Sequence, residues 1–440
     1  MSQERDPFSG LAALRPPRRR DGVDECDPKT VRGFAAEIPI GAERLADILG
    51  AAPRRNRFGE HLGLRRWFSE QVGAANELCA PDIEIDTTAL RLIAPEAPKE
   101  AADPAQWLFL DTETTGMSGG SGTYAFLVGV AWWDAGGLEV EQFFMREHSE
   151  EHSVLLELAE RIAERRVLVT FNGKSFDWPL LETRYRMTRS IKVPSLRAHL
   201  DFLHPARNLW RPKLGSVRLA HLERHVLGWN RGTDVMSELI PSMYFDYLRG
   251  GSPEPLVPIF HHNQMDLRGL AALAARVLAL LAHPEQHGQD ALELFGVSRI
   301  CERRGDVRAR ELYERSIVGE LPEETDRKAR RSLAFLAKRA GDLRRAETLW
   351  GGMLGCSREG LEAYEQLAIL YERRARDCQK AAALTRQALA SLRAANRLGA
   401  VQPALYRRYK DNFQRRLARL EHKSQGRAVV PLSFDAPLLD

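Results

Sequence analysis

Two carboxylates, one residue apart, follow an apolar run in this sequence. Residues 107–110 (Trp-Leu-Phe-Leu) precede Asp111, Thr112 and Glu113, and the segment turns at Gly116. Because side chains alternate across a strand, Asp111 and Glu113 are expected on one face, about 7 Å apart along the backbone. Mg²⁺ and Mn²⁺ prefer carboxylate oxygen, so the pair has the spacing of a metal clamp. The alternative is that Asp111 only caps a turn.

A third carboxylate opens a predicted helix. Residues 167–172 indicate a buried strand, and the helix after it is predicted to have Ser175 as N-cap and Pro179 in its first turn. Asp177 therefore lies at a helix start, where the positive end of the helix dipole favours a carboxylate even without a metal. Its position alone fits a structural carboxylate as well as a ligand.

A fourth carboxylate lies on a long apolar helix. The segment His261-His262-Asn263 precedes Asp266, and the pattern predicts a helix that starts with Asn263 as N-cap and continues through Leu281. Asp266 shares a helix face with Leu270, Leu273 and Val277, so it is expected to point into the protein. A carboxylate on a core-facing stripe needs a partner.

These three blocks resemble the exonuclease motifs of the DEDD (DnaQ-like) superfamily, which has the ribonuclease-H-like fold. The resemblance covers roughly residues 105–282 and is greatest to the YprB-like branch, whose members join such a domain to tetratricopeptide-type helices. It implies an α/β domain with a mixed sheet flanked by helices, followed by an all-α tetratricopeptide-like domain.

The resemblance also implies a metal centre. Asp111 and Glu113 would ligate a pair of divalent cations, Mg²⁺ or Mn²⁺, with Asp177 on the second ion and Asp266 on the first. Two ions about 4 Å apart activate water and stabilise the leaving oxygen of a displacement at phosphorus.

The general base is the least defined role. His261 is five residues before Asp266, where the DEDDh subgroup has its histidine, and His262 is four before, where the DEDDy subgroup has tyrosine. We expect His261 to be the base, since an imidazole can accept a proton near neutral pH, and His262 to support the site. The YprB-like branch is expected to have an aromatic residue at the place of His261, so the sequence departs from it there. Alternatively, both histidines are helix-entry residues.

The reaction that the resemblance implies is hydrolysis of terminal phosphodiesters in single-stranded nucleic acid, in the 3′ to 5′ direction. DNA is slightly favoured over RNA as the substrate. The alternative is a noncatalytic adaptor, in which a relic nuclease fold and the helices recruit proteins. The complete carboxylate set argues against the adaptor.

Several residues near the motifs are candidates for substrate contact or support. Phosphate is bound largely by Arg and Lys, although each such side chain is individually more often a solvated charge. Asp201 ends a short predicted strand and is expected to cap or support rather than to ligate. The substrate candidates are Thr114, Asn172, Lys174, Arg207, Arg211 and Lys213.

Length and composition limit the class of protein. The 440 residues, 44% of them hydrophobic, can form two or three domains. No apolar run approaches the roughly 20 residues that span a bilayer, and the polar start lacks a signal-peptide core, so a cytoplasmic location is expected. The five cysteines are widely spaced without a C-x-x-C, which indicates neither a disulfide framework nor a zinc site.

Five segments are predicted. Residues 1–35 are expected to be disordered, residues 36–104 form an extension without a predicted role, residues 105–283 form the nuclease domain, residues 284–424 form the helical domain and residues 425–440 form a tail. Gly305-Asp306 is echoed by Gly341-Asp342, which favours tetratricopeptide-like helical hairpins. An irregular helical domain is the alternative. The helices are a candidate surface for a protein partner, and the oligomeric state is not predicted.

Charge is distributed unevenly along the chain. Residues 291–440 contain 30 Lys and Arg against 20 Asp and Glu, whereas residues 1–290 contain 34 against 40. Residues 386–427 contain 11 basic and 2 acidic residues, with Tyr406, Tyr409 and Phe413 interleaved. This segment is either a phosphate-binding helix or a solvated arginine-rich one.

Overall fold

A mixed sheet carries the first of the candidate residues. The computed structural model describes residues 41–68, 85–116, 122–134, 137–288 and 290–425. Within these ranges the sheet has seven strands in the order β1-β2-β5-β4-β3-β6-β7, which are β1 (Ala52–Asn56), β2 (Gly59–Phe68), β3 (Trp107–Thr114), β4 (Ala125–Asp134), β5 (Gly137–Phe144), β6 (Val167–Thr170) and β7 (Ala198–Asp201). In this order, each strand from β1 across to β3 is antiparallel to the next one. The remaining pairs, β3 with β6 and β6 with β7, are parallel.

Helices pack around the sheet, and the described residues after 288 form helices without strands. Those before residue 288 are α1 (Ala42–Leu49), α2 (Thr87–Ile93), α3 (Glu151–Glu164), α4 (Asp177–Thr188), α5 (Leu203–Leu214), α6 (Leu219–Val226), α7 (Ile240–Leu248), α8 (Val257–Ala282) and α9 (Pro284–His287). Those after it are α10 (Ala291–Arg304), α11 (Ala309–Val318), α12 (Glu323–Arg339), α13 (Leu343–Gly351), α14 (Arg358–Leu370), α15 (Cys378–Arg397) and α16 (Pro403–Gln425). The predicted fold class is confirmed.

The alternation of β3 assigns its side chains to two cores. Trp107 and Phe109 belong to the apolar cluster that holds the buried face of α8, whereas Leu108 and Leu110 pack with residues of α3 and α4. Both faces of the strand are therefore buried, which explains its continuous apolar run. By the same alternation, Asp111 and Glu113 lie on the α8 side.

Part of the 36–104 extension belongs to the sheet. β1 and β2 form a hairpin whose second strand pairs with β5, with Leu62 opposite Phe144. The helix α2 packs against α8 and α10. The extension thus lengthens the sheet on the side away from β6 and β7.

Two predicted helix starts are wrong. The helix α4 begins at Asp177 after Phe176, so Ser175 is not its N-cap. The helix α8 begins at Val257, six residues before the predicted N-cap Asn263, with a proline in its first turn. Proline is well tolerated there because its missing N–H would be unpaired in any case. Both histidines and Asn263 are consequently inside α8.

The first helices of the C-terminal region share a core with the sheet domain. Val297 and Cys301 of α10 belong to the same apolar cluster as Leu209 and Trp210 of α5. A Cβ on Gly296 would lie 2.7 Å from the Leu209 Cα, so the two helices touch at a position where only glycine fits. The core therefore continues across the predicted boundary near residue 284.

The Gly-Asp echo marks equivalent turns between helices. Gly305, Gly341 and Arg376 have positive φ angles of 70°, 81° and 55° and lie between α10 and α11, α12 and α13, and α14 and α15. The aspartate after each one accepts a backbone N–H at the start of the following helix, from the N-cap Arg308 before α11 and from Arg345 and Lys380 inside α13 and α15. These turns support helical hairpins of similar length, and the tetratricopeptide assignment stays a prediction.

Some predictions fall outside the described residues. They are the disorder of residues 1–35 and the C-terminal tail beyond residue 425. Among the described helices, none is long and apolar enough to cross a membrane. Within the same ranges, Cys301, Cys356 and Cys378 are free thiols.

The third turn provides a stability prediction. A left-handed conformation costs an L-residue roughly 1–2 kcal/mol, which a glycine at the same position avoids. Part of this gain is lost because glycine gives up more conformational entropy on folding. We therefore expect Arg376→Gly to raise the free energy of unfolding by about 0.5–1 kcal/mol, and Gly341→Ala to lower it by about 1 kcal/mol. Urea unfolding measures both. Arg374→Gly, in the helical segment Tyr371–Ala375 just before this turn and without a positive φ, is the control and should be destabilising; a gain there would contradict the explanation.

Candidate active site

The carboxylates of β3 face the helix α8. Asp111 is half-buried and Glu113 is 9% exposed. They lie opposite Gly129 and Leu127 of β4, and the pairing becomes irregular between Glu113 and Thr114. Two acidic groups therefore lie at the end of a buried strand, at the point where its regular pairing stops.

Asn263 connects this strand to α8. Its Nδ2 donates to Asp111 Oδ2 at 2.8 Å, and its Oδ1 accepts a hydrogen bond from Gln142 Nε2 at 2.8 Å. A Cβ on Gly129 would lie 2.0 Å from Asn263 Oδ1. The absence of a side chain at position 129 thus lets the amide lie directly against β4. The sequence pattern missed this role because Asn263 resembles a helix cap.

Asp177 reaches the site from the first residue of α4. Its carboxylate accepts a hydrogen bond from the Thr112 hydroxyl, on the strand between the other two acids. The backbone before it is fixed by Asp201, which accepts the N–H groups of Asn172 at 2.8 Å and Lys174 at 3.0 Å and that of Leu203 at 3.0 Å. Asn172 has a φ of 71°. Asp201 therefore holds the turn that presents Asp177.

The two histidines have different environments. His262 Nε2 lies 3.5 Å from Asp266 Oδ2 and 3.9 Å from Glu113 Oε1, and its Nδ1 donates to Asp234 Oδ1 at 2.7 Å. His261 is exposed, and burial of part of its ring lowers its pKa. Residues four apart share a helix face, whereas residues five apart do not. The structure thus brings His262, and not His261, to the carboxylates.

Arg231 neutralises part of the negative charge of the acidic side chains around the site. Its guanidinium pairs with Asp266, with Glu223 of α6 and with Asp234, and its side chain is 6% exposed. Glu223 is fully buried, and a Cβ on Gly269 would collide with its carboxylate. The sequence pattern missed Arg231, Asp234 and Glu223, since they form no recognisable motif and meet only through the tertiary fold.

The acids raise one another's pKa values. Burial raises the pKa of Asp111 well above its usual range, and Asp266, Glu113 and Asp177 add to the shift. Burial likewise raises the pKa of Glu113, with further contributions from Asp266 and Asp177, and raises that of Asp177 to about 6. The four carboxylates are thus close enough to repel one another, and Arg231 balances only part of their charge.

The donor set fits a hard divalent cation in its chemistry. Mg²⁺ and Mn²⁺ prefer carboxylate oxygens, and an added cation would relieve the repulsion. As the side chains stand, no three His, Cys, Asp or Glu residues in the described ranges are arranged as a closed ligand group. Asp266 is turned toward Arg231 instead. Binding of an ion would therefore require small movements of these side chains.

The substrate candidates differ in how free their polar groups are. The Thr114 hydroxyl donates to Gly116 O at 3.0 Å, and Lys174 is exposed beside the turn that Asp201 holds. Arg207 and Arg211 are exposed on α5. Lys213 forms an ion pair with Asp290 at the start of α10, so its charge is used within the protein.

The contact between Gly129 and Asn263 can be tested. Gly129→Ala should push Asn263 away from Asp111 and lower the free energy of unfolding by about 1–3 kcal/mol, the usual cost of overpacking. Thermal or urea unfolding measures the loss. Gly351→Ala, where an added Cβ meets nothing within 4 Å, is the matched control and should be neutral or stabilising. If Asn263→Ala does not reduce the cost of Gly129→Ala in the double variant, the collision is not its cause.

Comparison with known proteins identifies the family. Residues 108–278 match the RNase_H superfamily. The uncharacterized protein YprB of Bacillus subtilis (strain 168) is 30% identical over 291 residues, which are 64% of this chain and 68% of that protein. The family B DNA polymerase from the hyperthermophilic archaeon Pyrobaculum calidifontis, a solved structure, has a TM-score of 0.34 and 16% identity over 46% of this chain and 29% of its own, a similarity too low to support an argument. The chain belongs to the YprB-like family, with a ribonuclease-H-like nuclease domain.

Proposed function

We propose that this protein is a metal-dependent 3′–5′ exonuclease that hydrolyses terminal phosphodiesters of single-stranded nucleic acid, with DNA slightly favoured over RNA. The observation that carries the proposal is the convergence of four carboxylates from three separate elements. His262 Nε2 lies 3.9 Å from Glu113 and 3.5 Å from Asp266, and residues of β3 and α8 hydrogen-bond to Asp177 and Asp111. Bringing four carboxylates this close costs free energy unless cations or hydrogen bonds offset their charge, so a purely structural role does not explain the arrangement. The strand polarity and the number of ions rest on the resemblance of the motifs to the DEDD superfamily.

The four carboxylates are the residues that would hold two Mg²⁺ or Mn²⁺ ions. When bound, such ions supply electrostatic stabilisation of the negative charge that develops at phosphorus and favour ionisation of the attacking water. Asn263 holds the Asp111 carboxylate in place, and Thr112 holds that of Asp177. Arg231 holds Asp266 and is itself anchored by Glu223.

His262 is the proposed general base, in place of His261. Asp234 accepts the hydrogen bond from Nδ1, which fixes the proton on that nitrogen and leaves the lone pair of Nε2 free to accept a proton. Nε2 faces Glu113 and Asp266, so a water molecule held by these carboxylates would be within reach. His261 was expected from the spacing of the DEDDh subgroup, whereas inside α8 it is position 262 that shares a helix face with Asp266.

Phosphate contacts near the reacting end are proposed for Lys174, Arg207 and Arg211. All three are exposed, and basic side chains supply most contacts to a nucleic-acid backbone. Asn172 and Thr114 are secondary candidates, since their backbone or hydroxyl groups already have partners within the protein.

The activity is tested with 5′-labelled single strands of DNA and RNA of matched sequence. Wild-type protein with Mg²⁺ or Mn²⁺ should shorten the strand from its 3′ end, and Asp111→Asn should reduce the rate by at least a factor on the order of 10³ because a metal ligand is lost. Arg408→Gln, on α16, is the control and should keep the wild-type rate. If the wild type is silent with both metals on both polymers, the adaptor function is favoured instead.

The two histidines make different predictions. Replacing a general base lowers the rate by about 10²–10⁴-fold, so His262→Gln should lower kcat by that factor while His261→Gln changes it by less than about threefold. Asp234→Asn, which removes the charge beside Nδ1, should lower kcat without a comparable rise in KM. Measured kcat and KM values for the three variants decide, and a larger loss for His261→Gln than for His262→Gln would contradict the assignment.

A further inference from the structure

A basic cavity lies among the helices of the C-terminal region. Its volume is about 370 Å³, and it is lined by residues of α10, α11, α12 and α14. The lining includes five basic and two acidic side chains. An excess of cations around a cavity attracts an anion.

Three of the basic side chains have no counter-ion. Among the contacts of the described residues, Arg299, Arg303 and Arg358 form no ion pair, whereas Arg331 pairs with Glu362 and Lys328 with Glu324. Arg299 is half-buried over the Phe295 ring, and its burial, together with Arg303, lowers its pKa. Partly buried guanidinium groups of like charge destabilise one another unless an anion joins them.

The two acidic side chains of the lining offset only part of this positive charge. Glu302 accepts hydrogen bonds from the Tyr313 hydroxyl at 2.8 Å and from Arg339 at 3.2 Å, and it also attracts Arg299. Glu359 attracts Arg331. With five basic and two acidic side chains in the lining, an excess of positive charge is left for a ligand.

Arg303 also lines a second cavity, which is formed by residues of α2, α5 and α10. That cavity has a volume of about 110 Å³ and includes His204 and Asn208 of α5. The helix α5 begins two residues after Asp201, the residue that holds the turn before Asp177. The N-terminal half of α5 thus lies between the turn that Asp201 holds and the cavity that Arg303 lines.

The basic helix α16 is a weaker candidate than its composition suggests. Arg416, Arg419 and Lys423 all pair with Glu372, at 3.0, 2.7 and 2.8 Å, and the Glu372 side chain is 3% exposed. Tyr409 and Phe413 are buried in the helical core. These aromatic rings are not available for stacking on bases, and the three cations serve the fold.

We propose that Arg299, Arg303 and Arg358 form a phosphate-binding groove for the backbone of the single-stranded substrate, away from its reacting end. This inference rests on the proposed nuclease function and names the part of the chain that holds the rest of the strand. The recognition is by charge and is independent of base sequence.

Strand binding tests the groove without catalysis. We would measure fluorescence anisotropy of a labelled single strand with full-length Asp111→Asn, in EDTA, over a series of salt concentrations. In this background Arg303→Gln with Arg358→Gln, both at exposed positions, should lower affinity on the order of tenfold and reduce the slope of log K against log salt by about 1.4, since each single-strand phosphate contact contributes about 0.7. The control, Arg407→Gln with Arg408→Gln on α16, removes the same charge and should change the affinity by less than about twofold.

Three results would overturn the groove: an unchanged affinity, an equal loss in the α16 control, or displacement of the strand by poly-glutamate at equal charge concentration, which would indicate an acidic protein segment as the ligand. Circular dichroism of the variants checks that they are folded. The proposed hydrolysis is measured separately with wild-type protein and metal, so its absence would refute the nuclease function while the binding data still decide the groove.

Discussion

Repulsion between partly buried carboxylates is the constraint on which the active site depends. Asp111, Glu113, Asp177 and Asp266 come from β3, α4 and α8. The other three acids raise the pKa of Asp111, and Asp266 also raises the pKa values of Glu113 and Asp177. Such a cluster is unfavourable in an isolated fold, because like charges at low dielectric repel strongly. Arg231 offsets part of the cost by pairing with Asp266, Asp234 and the buried Glu223. The remaining charge imbalance is what a divalent cation would correct.

The surrounding structure holds the cluster together through close contacts with α8. Gly129 lets Asn263 lie against β4 and bond to Asp111, and Gly269 lets Glu223 of α6 lie against α8. A side chain at Gly129 would push α8 away from β4, and one at Gly269 would push α8 away from α6. The apolar stripe of α8, which includes Leu270, Leu273 and Val277, is buried in the same cluster as Trp107 and Phe109 of β3. The apolar packing between α8 and β3 therefore stabilises the arrangement in which the carboxylates lie close together.

Much of this arrangement could be predicted from the sequence, and the rest depends on tertiary contacts. The period of two in β3 predicts that Asp111 and Glu113 share a face, and the period of α8 predicts that Asp266 points inward. The true start of α8 was missed, since Asn263 is a good cap by type while Pro258 is not obvious as a first-turn residue. His261 was expected as the base because its spacing from Asp266 matches the DEDDh subgroup, and spacing alone does not show which of the two rings faces the acids. Arg231, Asp234 and Glu223 form no pattern in sequence. The pairing of the hairpin β1–β2 with the sheet was also missed, because the paired residues of β2 and β5 are 70 to 82 positions apart in the sequence.

If the four carboxylates bind two metal ions, the number of ions bound per chain should be two. Metal-free full-length protein would be titrated with Mn²⁺, with free Mn²⁺ followed by electron paramagnetic resonance and heat by calorimetry. The account predicts saturation at two Mn²⁺ per chain, with at least one lost in Asp111→Asn while that variant still unfolds cooperatively. Absence of saturable binding, or equal binding by wild type and variant, would contradict it.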